Sequence, residues 1–169
     1  MSTHHDPGHA AVDPDQFKAA LGRWASGITV VTAQGPEGPV GLTASAFSSL
    51  SLHPPLVLVC IGQASYHHDH LTGAAGFGVH ILDASQEEIS NTFAFKRGDR
   101  FADLQVEEGP LGVPLFGGCL ARLACERYEV QEGGDHSILI GRVLAAEVSG
   151  GQPLAWWQGG YRRLEAADS

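Results

Sequence analysis

Between Val40 and Leu56 the chain reads VGLTASAFSSLSLHPPL, carrying Thr43, Ser45, Ser48, Ser49 and Ser51 but no Lys, Arg, Asp or Glu. Hydroxyls this small suit two kinds of chemistry. Nucleophilic catalysis needs a base beside the hydroxyl. The stretch has no GxSxG elbow and no His or Asp paired locally with its serines, so a hydrolase would need the fold to bring His53 and His136 together. The other chemistry is recognition. Small groups let a flat or anionic ligand approach the main chain and bond to N–H groups and hydroxyl oxygens. Strand alternation would then show Thr43, Ser45 and Phe47 to one side. A polar strand facing water uses the same residues, and the stretch alone leaves both readings open.

Other clusters carry less. SYHHDHL gathers His67, His68, Asp69 and His70, but without HExxH spacing or a second group of ligands, so a surface loop with a helix start at Ser65 is expected and no metal. His4, His5 and His9 sit on a tail with Gly and Pro, expected to be disordered over residues 1–12. Neither GxGxxG nor a P-loop is present to cradle phosphates.

The elements that must position these groups fit one domain over 13–165 of the 169 residues. Hydrophobic content of 43% with 17% charge is that of a globular chain. A net charge of -9 argues against a nucleic-acid surface. The longest apolar run, PPLVLVCIG, is too short to span a bilayer, and the N-terminus has neither the basic nor the apolar region of a signal peptide. Cys60, Cys119 and Cys125 are odd in number and lie in apolar runs, which suits a reduced, cytoplasmic protein.

Asp13, Pro14 and Gln16 open a helix by capping box, and Phe17, Ala20, Leu21 and Trp24 would face inward before Gly27 closes it. ITVVTA is strand-like, QGPEGP is turn chemistry, and VGLTASAFSSLS reads as the returning partner strand. PLVLVCIG reads as a fully buried strand and FGVHIL as another. Ser85 with Glu88 would cap a helix through Ile89, Phe93 and Ala94 that stops near Gly98. Two long strands begin at Cys119 and His136, joined by QEGGD, and PLAWWQGGYRRL reads as a closing hairpin. Strands dominate without a βαβ rhythm, so a mainly β, antiparallel barrel with a few flanking helices is expected.

In order, GITVVTA, GPVGLTASAFSSLSLHPPLVLVCIG, FGVHIL, NTFAFKRGDRF, LARLACE, GDHSILIGRV and PLAWWQGGYRRL resemble the flavin reductase-like family, over nearly all of Phe17 to Leu164. The resemblance implies a split β-barrel with FMN or FAD in a groove at a homodimer interface. It implies NADH or NADPH as hydride donor and a flavin-dependent monooxygenase as the consumer of reduced flavin. Related readings are a flavoprotein that reduces another acceptor and a flavin-binding or storage protein without catalysis. By position, Thr43, Ala44, Ser45, Ala46 and Ser51 would hold the ring edge and ribityl chain. Cys60 and Ile61 would frame the ring, with Ser65 and Arg100 at the phosphate and Phe101 beside it. His136 would line the nicotinamide side, and Trp157 and Tyr161 would sit near the flavin or the dimer seam. Ala46 stands where many relatives have a second serine.

Overall fold

A computed structural model describes residues 11–164; the histidines of the N-terminal tail lie outside them. In chain order the elements are α1 (Pro14–Leu21), β1 (Ser26–Gly27), β2 (Thr29–Gly35), β3 (Gly38–Ala44), β4 (Phe47–Leu52), β5 (Pro55–Gly62) and α2 (His68–Gly73). There follow β6 (Gly76–Ile81), α3 (Glu87–Phe95), β7 (Val106–Glu108), β8 (Pro114–Phe116), β9 (Ala121–Gly133), β10 (His136–Val148), β11 (Ala155–Trp157) and β12 (Gly160–Arg162). The main sheet has seven antiparallel strands in the order β3-β2-β6-β9-β10-β5-β4. β11 pairs instead with β1 on one side and β12 on the other, in a small separate sheet.

The long β9–β10 pair is the spine. Its register slips at Ile140/Gly141 and again at Val143/Ala145, and such bulges bend a sheet and increase its twist. Gly141 is required at the first slip, because a Cβ there would lie 2.3 Å from Phe77 Cζ. The curled sheet brings its two edge strands round toward each other, but β3 pairs only with β2 and β4 only with β5. The barrel is therefore split, and Ser45–Ala46 carries the chain across the gap.

This corrects the reading of VGLTASAFSSLS as one partner strand. It is two strands on opposite edges of the sheet, bent where two small residues meet. A backbone bond from Cys60 N–H to the Ala46 carbonyl (2.9 Å) pins the bend. PLVLVCIG is likewise buried on one face only. Val57, Val59 and Ile61 enter the core, whereas Leu56, Leu58, Cys60 and Gly62 are half-buried.

β2 is buried on both faces from Thr29 to Ala33, and its two threonine hydroxyls donate to backbone carbonyls, Thr29 to Ala44 and Thr32 to Pro114. Val31 and Ala33 join Val59, Phe77, Val79, Cys125 and Leu139 inside the barrel. Ile28 and Val30 join Leu82, Phe93, Phe101, Phe116 and Leu154 in a second cluster under α3. Each buried Val, Leu, Ile or Phe among them contributes roughly 1.5–3 kcal/mol through its removal from water. His80 is buried at this second layer. Phe116 N–H donates to its Nε2 (3.1 Å), so the proton sits on Nδ1, which donates to the Val30 carbonyl (3.1 Å). The ring stacks on Phe116 with centroids 3.9 Å apart, and burial holds its pKa down to about 4. Burial also pushes the thiols of Cys119 and Cys125 up, to about 11 and about 12.

Four local expectations change at the helices. Asp13 does cap α1, accepting from the N–H groups of Asp15 and Gln16, but the helix buries nothing: Phe17, Leu21 and Trp24 are exposed. It ends at Leu21, well before Gly27. The second capping box is made by Asp83 with Gln86, not Ser85 with Glu88, because a short 3-10 turn precedes α3. α3 then ends at Phe95 rather than near Gly98.

Candidate functional site

Where β3 bends into β4, the free edge of β3 faces β5 across a groove of about 350 Å³. Edge strands carry unpaired N–H and C=O groups, which a ligand with its own donors and acceptors can satisfy. Leu42, Thr43, Ala44, Ser45 and Ala46 form one wall, and Cys60, Ile61 and Gly62 form the other. Phe93 and Ala94 of α3, with Ser65, Arg100 and His136, close the ends. The strand alternation that sends Val59 and Ile61 inward is what turns the Cys60 thiol to the groove side.

Thr43, Arg100 and His136 have defined partners here. The Thr43 hydroxyl donates to the Ser90 carbonyl (2.7 Å), which leaves its oxygen lone pairs to accept. Arg100 Nη1 donates to the Gly41 carbonyl (2.7 Å) and Nε to the Lys96 carbonyl (2.9 Å). No carboxylate lies within 4.0 Å of that guanidinium among the described residues, and burial lowers its pKa. His136 opens β10 opposite Gly62, and its Nδ1 bonds Asp135 at 2.7 Å, which holds the Asp135 carboxyl below its ordinary range.

Two further depressions share the bend. One, of about 280 Å³, adjoins through Thr43, Ser45 and Ala94 and is lined by Trp156, Tyr161 and Asn91. The Tyr161 hydroxyl lies 2.9 Å from both Ser90 Oγ and Asn91 Oδ1. With a single proton to give, it donates to the Asn91 oxygen and accepts from Ser90, which leaves the Asn91 amide N–H groups for a ligand. The other depression, of about 480 Å³, adjoins through Ser45, Ala46 and Cys60 and reaches Leu21, Trp24 and Trp156.

Of the residues singled out from the sequence, Thr43, Ala44, Ser45, Ala46, Cys60, Ile61, Ser65, Arg100 and His136 come together on this groove. Ser51 does not, being paired with Leu56 along β4. Phe101 is buried edge-on against Phe93 at 4.9 Å, behind the groove wall. Trp157 turns away, its Nε1 donating to the Arg23 carbonyl (3.2 Å), and Trp156 takes the inward place. Tyr161 lines the adjoining depression. Leu42, Gly62, Phe93, Ala94, Asn91 and Trp156 were not singled out. The α3 residues could have been found from helical periodicity, since Ser90, Phe93 and Ala94 follow at one-turn spacing.

His53 and His136 stand at opposite ends of β5, roughly 20 Å or more apart by strand rise, so they cannot serve one hydroxyl. Within SYHHDHL, His68 turns to Asp69 (2.7 Å) and Ser137 (2.8 Å) while His67 and His70 keep their ring centroids 6.5 Å apart, and the described residues contain no group of three or more candidate metal ligands. No described helix is long and apolar enough to cross a membrane.

The groove fits a flat heteroaromatic ring with a polar edge and an anionic tail: small walls, an unpaired strand edge, and an unmatched guanidinium at one end. Known proteins point the same way. The chain is 42% identical over 148 residues to an Agrobacterium fabrum FMN reductase (NADH), covering 88% of this chain and 84% of the relative. It is 35% identical to the reductase subunit of a flavin-dependent monooxygenase from Rhodococcus jostii, covering 92% and 80%. Coverage is not always so even: the chain spans 48% of the length of a Rhizobium meliloti probable flavin reductase to which it is 43% identical. A Streptomyces globisporus NADH:FAD oxidoreductase, solved with NAD and FAD fragments, superposes with a TM-score of 0.87 at 36% identity, covering 95% of this chain and 100% of that one. The family described as flavin reductase like domain matches residues 21–165, and with the split barrel and these relatives it settles the question of kinship: the chain belongs to the flavin reductase-like family.

Proposed function

We propose that residues 13–165 act as one NADH-dependent flavin reductase domain, cytoplasmic, which passes reduced flavin to a monooxygenase. The observation that carries this is the groove at the Ser45–Ala46 bend, where an unpaired strand edge, small walls and Arg100 converge. When bound, nicotinamide and flavin supply the chemistry between them, hydride passing from nicotinamide C4 to flavin N5. The chain has to bind, orient and exclude water. Ala44, Ser45 and Ala46 let a ring lie close to the main chain, and Thr43 and Ser45 offer acceptors at its edge. Cys60 and Ile61 frame the ring. Ser65 and Arg100 hold the tail's phosphate, the guanidinium steadied by Gly41 and Lys96. His136 and the Asn91 amide flank the space left for the nicotinamide, so the two reacting atoms meet by orientation rather than acid–base help. The Agrobacterium fabrum FMN reductase and the Streptomyces globisporus oxidoreductase both carry NADH in their names, which is why NADH rather than NADPH is proposed.

A homodimer accompanies this reading. Phe17 and Leu21 of α1 and Trp24 just beyond it are exposed, Leu21 and Trp24 lining the Trp156 depression, and a second copy would cover that apolar surface.

The test is direct. Purified protein is mixed with NADH or NADPH and with FMN, FAD or riboflavin, and absorbance of the reduced nicotinamide is followed. Flavin-dependent NADH oxidation is expected. Tight flavin binding with no nicotinamide oxidation would leave a binding or storage protein and overturn the reductase reading.

A further inference from the structure

Asp69, His68 and Ser137 are joined in the order of a hydrolase triad, and none of them lines the groove. His68 Nδ1 lies 2.7 Å from Asp69 Oδ1, and its Nε2 lies 2.8 Å from Ser137 Oγ. A carboxylate oxygen only accepts, so the ring proton sits on Nδ1 and Nε2 accepts from the Ser137 hydroxyl. Nucleophilic attack is not what this order serves. Ser137 is 7% exposed and shares the inward face of β10 with Leu139, so its hydroxyl is covered and meets the imidazole instead of a substrate. What remains is a tie between two segments that are 69 residues apart in the chain.

The start of α2 needs such a tie. The helix has six residues and no side-chain cap at its N-terminus, and helices this short do not persist in water unaided. Leu71 anchors its middle in the barrel core, and His68 anchors its first turn to Ser137. The turn that carries Ser65 hangs from that anchor. His68 N–H donates to the Ser65 carbonyl (3.0 Å), and Ser65 N–H donates to the Gly62 carbonyl (3.0 Å). On the other side of the tie, Ser137 follows His136 directly. Alternation along β10 turns His136 to the groove and Ser137 to His68, while both residues pair with β5 at Gly62 and Ile61. Gln63 N–H closes the circuit on the Asp135 carbonyl (3.0 Å). One imidazole therefore fixes where the Ser65 turn stands relative to His136.

We propose that His68 is a positioning residue for the hydride donor: through Ser137 it holds His136 against the Ser65 turn, so that the nicotinamide meets a preformed place. The assignment rests on the reductase reading, and its test separates the two. Steady-state kinetics at saturating flavin give KM and kcat for NADH, and fluorescence quenching gives flavin affinity. His68→Ala and Ser137→Ala each raise the KM for NADH about tenfold, with kcat and flavin affinity changed less than about threefold, the signature of lost preorganisation toward the donor. The double variant is no worse than either single one, because both act through one bond. His68→Gln places its amide where Nε2 stood and recovers most of the loss; His68→Asn places it where Nδ1 stood and does not. Gln and Asn keep a polar side chain at the position, so their comparison decides the matter where the alanine variants fail to fold. Unchanged KM for NADH, additive losses, Gln no better than Asn, or flavin affinity falling as far as that for NADH would each overturn the assignment. The reductase reading stands through all of these as long as the wild-type protein oxidises NADH with flavin present. Wild-type protein that does not would overturn both.

Discussion

Two polar places on the same sheet are built in opposite ways. Around His80 each polar ring atom has a partner: Val30 and Phe116 take both imidazole nitrogens, and the ring lies flat on Phe116. Around Ser45 the backbone of an edge strand faces an open groove, and Arg100 has no carboxylate beside it among the described residues. The first arrangement stabilises the fold because nothing is left to bind. The second costs stability until something binds, which is the property a ligand site needs. Polar residues in a β-protein thus divide by what is left unsatisfied, not by how polar they are.

The comparison can be broken at its closed half first. His80→Ala removes a fully buried ring and strands the Phe116 N–H and the Val30 carbonyl. A loss of about 4 kcal/mol is expected in urea unfolding, with flavin affinity of the remaining folded protein unchanged. A loss under about 1 kcal/mol would mean that the closed region is not the structural one. At the open half, Ser45→Trp fills the groove at the bend. Flavin affinity should fall about a hundredfold while the urea midpoint hardly moves. Unchanged affinity would remove the groove from consideration.

The smallest effect sharpens the contrast through pH. His80 has a folded pKa of about 4 against 6.5 unfolded, so below pH 6.5 the unfolded chain binds the proton that the folded chain refuses. Stability is therefore fully present above pH 6.5 and falls as pH drops toward 4. Between pH 8 and pH 5 the loss is about 2 kcal/mol. His80→Gln, which cannot titrate, should lie lower overall but show a flatter slope. An identical slope in both proteins would assign the acid sensitivity elsewhere.

Much of this was legible from residues. The long strands starting near Cys119 and at His136, the strand at FGVHIL and the closing hairpin follow from alternation and from turn residues such as Gly134, which needs its positive φ of 72°. The resemblance carried the groove residues from Thr43 to Ala46. The burial pattern could not be read the same way. Phe17, Leu21 and Trp24 have helical spacing, and spacing says which residues share a face but not whether the chain itself covers that face. Trp156 and Trp157 are adjacent and chemically alike. Only the pairing Trp156↔Tyr161 in the small sheet decides which indole turns to the depression and which to Arg23.

VGLTASAFSSLS shows the division most clearly. Its residue types, small, hydroxylated and uncharged, determined that a close ligand approach was possible there, because that property belongs to the side chains themselves. That the stretch breaks at Ser45–Ala46, with one half on each edge of the split barrel, depends on which strands curl round to meet it. The bulges of β10 and the Cys60 N–H that reaches back to Ala46 set that curl, and β10 and Cys60 both lie outside the stretch whose bend they shape. Local sequence carries the chemistry of a site; its opening is decided by long-range pairing.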